Sequence, residues 1–137
     1  PLYRASLAAA AKARSLNPKP PKALRAELRP YQKAGFAWLA RTAAWTTGAC
    51  LADDMGLGKT LQTLALLLHR ARGGPALVLA PTSVGPNWIA EAKRFAPSLR
   101  VIPYRGAARE LHLEGLTAGD VLVTSYDVAV GDAGALA

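Results

Sequence analysis

The amino-acid sequence predicts an α/β fold in which a parallel sheet is flanked by helices. Short apolar runs alternate with helical segments, and these runs lack the polar alternation of a half-exposed sheet. In addition, a glycine-bearing loop joins one apolar run to a leucine-rich helix. The chain has 137 residues, of which 51% are hydrophobic and 19% charged, so it can build one folded core.

The predicted elements follow from local composition. An alanine-rich stretch favours a first helix, and the sequence NPKPPK ends it. After Pro30, apolar or small residues recur at helical spacing. The predicted helices are residues 2–16, 30–44, 59–72, 86–95 and 107–113, and the predicted strands are residues 49–52, 76–80, 100–104 and 120–124.

The net charge of +8 comes from 17 basic and 9 acidic residues and is concentrated near the start of the chain. Residues 1–33 carry eight basic side chains and one acidic side chain, Glu27. Such a block suits a polyanion such as nucleic acid, or serves as a solvated linker. We predict a basic helix and proline-rich linker over residues 1–27 and a folded domain over residues 28–137. Because the chain starts with Pro1, we expect it to be a piece of something longer.

Other sequence features exclude whole classes of protein. The longest uncharged stretch, residues 73–90, is broken by glycine and proline, so we expect no membrane helix and no membrane partner. The single cysteine, Cys50, excludes an internal disulfide framework and is expected to be a small buried residue. The single cysteine also indicates a reducing interior, and the abundance of Ala, Arg, Leu and Gly indicates a bacterial source. Together with the nucleic-acid partner that the basic block suits, these observations predict a cytoplasmic, nucleoid-associated bacterial protein.

The most informative residues form a loop, DDMGLGKT, over residues 53–60. Backbone N–H groups in a tight turn at a helix N-terminus supply donors and a positive dipole end for phosphate. Gly56 and Gly58 permit that turn because they have no β-carbon. Lys59 is predicted to bridge the β- and γ-phosphates, and the Thr60 hydroxyl to ligate Mg²⁺; these two are the catalytic candidates. The strict phosphate-loop pattern has glycine at the position of Asp53, so this chain departs from it.

The stretch ADDMGLGKTLQTLALL, residues 52–67, resembles motif I of Swi/Snf-type ATPases, which belong to a helicase-like superfamily of motors with two RecA-fold lobes. That family tolerates Asp at the position of Asp53, and its commonest form has Glu where this chain has Asp54. The resemblance covers about residues 28–127. It implies that residues 28–137 form the N-terminal part of the first RecA-like, ATP-binding lobe, which ends before the family's Asp-Glu motif.

Upstream, LRPYQKAGFAWL (residues 28–39) looks like the family's adenine-recognition element. The resemblance gives Gln32 the role of reading the base edge, with Tyr31 or Arg29 near the ring. An amide can donate to one adenine nitrogen and accept from the exocyclic amine. The nucleotide-binding candidates are therefore Arg29, Tyr31, Gln32, Asp54, Met55, Gly56, Leu57, Gly58, Lys59 and Thr60, with ATP and Mg²⁺ as ligands.

Downstream, residues 76–95 are similar to the family's motif Ia and residues 120–128 to its motif Ib. In the first segment, Pro81, Thr82 and Ser83 follow a predicted strand and precede a predicted helix, where hydroxyl and N–H groups can hold a DNA phosphate. An ordinary turn with Ser or Thr as helix cap explains the first equally well, and Asp127 is expected to cap a helix. The nucleic-acid candidates are Pro81, Thr82, Ser83, Thr124, Ser125 and Tyr126.

The resemblance implies an ATP-driven translocase on duplex DNA, with a DNA-bound protein such as RNA polymerase as a further partner. Hydrolysis needs an Asp-Glu pair that holds Mg²⁺ and orients water, and this chain has none. We therefore expect these 137 residues to bind ATP without turning it over. Two alternatives remain open: a phosphate-loop kinase or signalling NTPase, and a non-enzymatic module that binds nucleic acid through its basic residues.

Overall fold

The computed structural model describes residues 2–137, with side chains from residue 8 onwards, as two compact units, Pro1–His69 and Arg70–Ala137. Pro1 and the Arg4 side chain, both within the predicted basic segment, lie outside the described residues. The predicted division at residues 27 and 28 stays a prediction. Within the described part, the chain contains no helix with the length and apolarity needed to cross a membrane.

The described residues of the first unit form the helices α1 (Leu2–Ser15), α2 (Pro30–Thr42) and α3 (Lys59–Arg70), the last of which ends one residue beyond the unit. Proline is tolerated at the start of α2 because the first N–H groups of a helix have no intrahelical partner. The side chains of Phe36 on α2 and Leu64 on α3 are both completely buried, and the Phe36 ring meets the His69 ring edge-on with 5.7 Å between centroids. The apolar faces of α2 and α3 thus supply the core of this unit.

The proline-rich segment between α1 and α2 is anchored to the first unit by apolar side chains. Leu24 and Leu28 are buried, and the Arg41 guanidinium donates from Nε to the carbonyl of Leu16 at 2.8 Å. The basic side chains of this segment and of the adjoining turns of α1 and α2 remain exposed: Lys12, Arg14, Lys19, Lys22, Arg25, Arg29 and Lys33. The backbone of this segment is therefore held in place by its buried leucines, while its positive charges face solvent.

The strand predicted over residues 49–52 is absent, and this prediction is wrong. These residues form no regular element, and Cys50, expected to be buried, is exposed. A strand needs a neighbour for its backbone N–H and C=O groups, and the described residues of the first unit contain no other strand. Local apolarity was therefore insufficient to form this strand.

The second unit contains a three-stranded parallel sheet in the order β1-β3-β2, with β1 at Ala76–Leu79, β2 at Arg100–Pro103 and β3 at Asp120–Thr124. The register pairs Leu79 with Thr124 and Pro103 with Val123. All five residues of the central strand β3 are buried. Helix α4 (Gly85–Phe95) connects β1 to β2. The predicted α/β class with a parallel sheet flanked by helices is confirmed, with three strands in place of four.

Shorter elements complete the second unit. The helix predicted over residues 107–113 is reduced to a 3₁₀ turn at Arg109–His112, which lies between Gly106 and Gly115, two residues with positive φ. Another 3₁₀ turn, Ala71–Gly73, precedes β1. Helices α5 (Tyr126–Gly131) and α6 (Ala133–Leu136) follow β3.

The start of β3 is held by a buried carboxylate. Asp120 accepts hydrogen bonds from the Arg100 guanidinium and from the backbone N–H and hydroxyl of Thr117. The Arg100 bonds hold the pKa of Asp120 well below its usual range, against the opposing effect of burial. These contacts tie β2 and the turn before β3 to the same side chain. They hold the amino ends of β2 and β3 together.

Candidate functional site

The first candidate site is the glycine loop, which we define as residues 53–58, directly before α3 in the first unit. Gly56 and Gly58 have φ angles of +83° and +74°, in the left-handed region that favours glycine. Leu57 N–H donates to the carbonyl of Asp54 at 3.5 Å. The loop therefore makes the tight turn that the two glycines predicted, although no strand precedes it.

The Lys59 side chain folds back onto this loop. Its ammonium donates to the carbonyls of Asp53 at 2.7 Å and Asp54 at 2.9 Å. An ammonium has three N–H donors, so the two carbonyls leave one donor for a further acceptor. The glycine loop thus closes around a positive charge at the start of a helix.

Helix α3 presents its N-terminus to the loop. Its first turn has backbone N–H groups without intrahelical acceptors, and the first helical bond runs from Gln62 N–H to the carbonyl of Gly58 at 3.2 Å. Thr60 is half-buried, and its hydroxyl makes no hydrogen bond to any side chain or backbone group that the structure describes. These donors and the positive end of the helix dipole favour an anion at this position.

Two side chains of α2 hold the other end of the loop. Gln32, which is 6% exposed, donates from Nε2 to the carbonyl of Leu57 at 3.1 Å and accepts at Oε1 from the N–H of Arg29 at 2.9 Å. The Tyr31 hydroxyl donates to the same Leu57 carbonyl at 3.2 Å. Both ends of the Gln32 amide are thus occupied within the chain. The contact is tight, since a β-carbon at Gly58 would lie 2.5 Å from Gln32 Nε2.

The structure brings most of the predicted nucleotide-binding residues together around the glycine loop. Tyr31 and Gln32 contact the loop, whereas the Met55 side chain is 94% exposed and has little packing around it. The Arg29 side chain is exposed beside Gln32 at the start of α2. Sequence reasoning missed Gln62, which donates from Nε2 to the carboxylate of Asp53 at 2.9 Å.

The second candidate site is the strand-end cavity, a space of about 540 Å³ in the second unit. It lies where the carboxyl ends of the three parallel strands meet beside α4. Its floor is largely apolar, with Ile89 and Val123 among the residues that line it. The polar or charged groups along its wall are Thr82, Lys93, Tyr104, Arg105, Thr124 and Ser125.

The predicted nucleic-acid candidates divide into accessible and buried residues. Pro81, Thr82 and Ser83 are exposed in the turn before α4, and no side-chain bond caps that helix, which begins after Val84. The alternative explanation of this turn as a Ser/Thr cap is therefore wrong. The hydroxyls of Thr82 and Ser83 make no hydrogen bond within the described residues, so they are available to an external acceptor.

The candidates at the end of β3 and just after it, Thr124, Ser125 and Tyr126, differ in exposure and in hydrogen bonding. Thr124 is 6% exposed and donates its hydroxyl proton to the carbonyl of Tyr104 at 2.8 Å, which removes it from the accessible set. Ser125 caps α5 by accepting from Val128 N–H at 3.5 Å, so the expectation that Asp127 is the cap is wrong. Tyr126 is 55% exposed.

Two cations of this cavity, Lys93 and Arg105, were missed by sequence reasoning. Arg105 lies two residues after the end of β2, and the carboxyl ends of parallel strands lie at one edge of a sheet, so its place in the same cavity lining as Pro81 and Ser125 could have been anticipated. Lys93 lies in the last turn of α4 and carried no such signal. Together they give a largely apolar cavity a positive wall.

Comparison with known proteins shows consistent similarities. Residues 31–136 match the family model described as SNF2-related domain. The chain is 43% identical over 121 residues to Helicase SWR1 of Mycosarcoma maydis, covering 82% of this chain and 7% of that protein. It is 44% identical over 119 residues to the ISWI chromatin-remodeling complex ATPase CHR17 of Arabidopsis thaliana, covering 80% and 11%.

A solved structure, the Sulfolobus solfataricus SWI2/SNF2 ATPase core in complex with dsDNA, is also similar, with a TM-score of 0.71 and 40% identity. The match covers 84% of this chain and 24% of that chain. The chain therefore spans a small part of the proteins it matches. The expectation of a cytoplasmic, nucleoid-associated bacterial protein is wrong, because the curated relatives come from fungi and a plant and include chromatin-remodelling ATPases.

Proposed function

Since this chain belongs to the SNF2-related domain family, we propose that it forms the ATP-binding part of a DNA-dependent ATPase that moves along duplex DNA. The observation that carries the proposal is the glycine loop closed around the Lys59 ammonium at the N-terminus of α3. This arrangement offers donors and positive charge to a triphosphate. A chance Gly-Lys-Thr sequence would not require two glycines with positive φ in the turn before it.

The residues present fit ATP and Mg²⁺. Lys59 has one uncommitted N–H and can exchange its two carbonyl partners for phosphate oxygens. The Thr60 hydroxyl is positioned on the first turn of α3, where it can ligate Mg²⁺ as in other phosphate loops. When bound, Mg²⁺ would neutralise phosphate charge. The chain's own contribution is to bind and orient the phosphates.

In this proposal, adenine recognition by Gln32 affects the glycine loop, because the same amide holds the Leu57 carbonyl of that loop. For Gln32 to read adenine, Nε2 must exchange the carbonyl of Leu57 for an acceptor on the base, and Oε1 must release Arg29 N–H. Tyr31 is 39% exposed and remains bonded to the same carbonyl, so it can keep the loop attached to α2 during that exchange. The aromatic ring of Tyr31 and the guanidinium of Arg29 then lie near the base.

Hydrolysis requires groups that these 137 residues do not contain. The sequence has no Asp-Glu pair, and Asp127, which follows β3, is exposed on the first turn of α5. A phosphate site without a carboxylate to orient water can bind ATP but does not activate the attack. We therefore assign hydrolysis to the full-length protein and binding to this chain.

The test is ATP hydrolysis by the full-length protein with and without duplex DNA. We expect duplex DNA to raise the rate at saturating ATP. A rate that is indifferent to DNA would overturn the proposal and favour a phosphate-loop enzyme that acts on small molecules. If DNA affinity is the same with and without ATP and depends only on the exposed cations of residues 12–33, the non-enzymatic module is favoured.

The strand-end cavity is the proposed contact for a DNA phosphate. Thr82 and Ser125 offer hydroxyls, and Lys93 and Arg105 offer positive charge, within the same cavity lining. Charged side chains that contact phosphate make affinity salt-dependent, because binding releases counterions from the duplex.

Replacing both Lys93 and Arg105 by alanine is expected to weaken duplex binding for all sequences alike. It should also lower the slope of log affinity against log salt concentration by about 2. Fluorescence anisotropy with labelled duplex at several salt concentrations measures both quantities. Arg72, an exposed cation outside the cavity lining, supplies a matched control as Arg72→Ala. An unchanged slope in the double variant would exclude the cavity as a phosphate contact.

A further inference from the structure

Asp53 stands where the strict phosphate-loop pattern has glycine, and two groups on α3 hold it. Its carboxylate accepts from Gln62 Nε2 at 2.9 Å, and its carbonyl accepts from the Lys59 ammonium at 2.7 Å. Gly56 and Gly58 carry the positive φ angles of the turn. The side chain at residue 53 therefore serves a purpose other than permitting that turn.

The orientation of the Gln62 amide is fixed by its surroundings. A carboxylate only accepts hydrogen bonds, so the amide must present Nε2 to Asp53. This leaves Oε1 completely buried and without a hydrogen-bond partner among the described residues. A buried amide oxygen without a partner is unfavourable, so the bond to Asp53 must outweigh that cost.

Gly35 on α2 provides the space for this amide. A β-carbon at residue 35 would lie 2.0 Å from Gln62 Oε1, a separation that real atoms do not adopt. Rotating the amide away from Gly35 would break its bond to Asp53. Glycine at residue 35 is thus a condition for the contact between α3 and the start of the loop.

We propose that Asp53, Gln62 and Gly35 form a loop brace that holds the start of the glycine loop in place while Lys59 exchanges carbonyls for phosphate. The proposal rests on the proposed function of the loop as an ATP site. When Lys59 turns to phosphate, the Asp53 carbonyl loses its partner, and the bond from Gln62 to the carboxylate remains. Asp53 and Gln62 are positioning residues, because neither has to touch the nucleotide.

This proposal makes a counterintuitive prediction for Asp53→Gly, which restores the strict phosphate-loop pattern. We expect it to weaken ATP binding about tenfold or more, since it removes a hydrogen bond to a charged group. Asp53→Asn keeps an acceptor oxygen for Gln62 and should recover most of the lost affinity. The measurement is titration of the nucleotide-free full-length protein with a fluorescent ATP analogue, together with amide hydrogen exchange of residues 54–58.

Gly35→Ala should reproduce the Asp53→Gly effect, because it displaces the amide from the other side. Gly48→Ala is the matched control, since Gly48 is exposed and a β-carbon at this residue would have no neighbouring atom within 4 Å. Gln62→Glu places two carboxylates together and should weaken binding. The double variant Asp53→Asn/Gln62→Glu rebuilds the bond with the donor on the opposite side and should restore affinity and loop protection.

The loop brace would be overturned if Asp53→Gly bound ATP as tightly as the wild type or more tightly. It would also be overturned if the double variant failed to restore protection against amide hydrogen exchange. Failure of the proposed function would look different. In that case neither the wild type nor Lys59→Ala would bind the analogue. Faster amide hydrogen exchange of residues 54–58 in Asp53→Gly would still support the brace, whereas unchanged amide hydrogen exchange would overturn it.

Discussion

Lys59→Ala is expected to abolish DNA-stimulated ATP hydrolysis by the full-length protein, with turnover falling at least about a hundredfold. The ammonium is the positive charge around which the glycine loop closes, through the carbonyls of Asp53 and Asp54. Alanine removes both the charge and the contacts that hold the loop. Steady-state hydrolysis and titration with the fluorescent analogue measure the two consequences separately.

Lys33→Ala provides the control for this variant. Lys33 lies on α2 and its side chain is 50% exposed, with a surface ion pair to Glu27 at 3.7 Å. A pair of this kind contributes little to stability, so hydrolysis should stay at the wild-type level. If Lys59→Ala retains turnover within about twofold of the wild type while its folding is intact, the glycine loop is not the nucleotide site.

The fold was predictable where local composition decides the element. The apolar run at residues 120–124 was predicted with the bounds that the structure shows for β3, and it is buried at every position. The run at residues 49–52 looks similar in sequence but forms no strand. The difference lies in pairing: β3 has β1 and β2 as neighbours, and strand pairing depends on residues far away in sequence.

The same limit applies to the candidate sites. Glycine, lysine and threonine at fixed spacing predicted the loop, because a phosphate turn demands those residue types in that order. The bond between Asp53 and Gln62 and the one between Thr124 and Tyr104 could not be predicted, since each depends on side-chain orientation across two elements. Thr124 therefore looked like a surface contact in the sequence and is a buried donor in the structure.

A second large effect is expected for Asp132→Ala in the second unit. Asp132 Oδ2 accepts from the Tyr104 hydroxyl at 2.9 Å, and Oδ1 accepts from Arg109 Nη2 at 2.8 Å, while Arg109 Nε also donates to the carboxylate. The Tyr104 side chain is completely buried. Alanine at residue 132 would leave a buried hydroxyl without an acceptor and Arg109 without its counter-charge.

We expect the protection of β3 amides against hydrogen exchange to fall at least about tenfold in Asp132→Ala, because the loop after β2 and the turn before α6 lose their common contact. Exchange at these amides reports on the second unit alone within the full-length protein. Asp127→Ala is the matched control, since Asp127 is exposed on the first turn of α5. Equal protection in the two variants would contradict the role assigned to Asp132.

Acidification gives an independent check on the same carboxylate. The Arg109 bond lowers the pKa of Asp132 in the folded chain, so the unfolded chain takes up the proton first as the pH falls. The stabilisation is complete above the ordinary carboxyl pKa of about 3.9 and is lost as the pH drops below it towards the folded value. Asp132→Asn should therefore lose less protection than the wild type between about pH 5 and pH 3. The pKa of Asp120 is also lowered, but that residue is present in both proteins and its contribution cancels in the comparison.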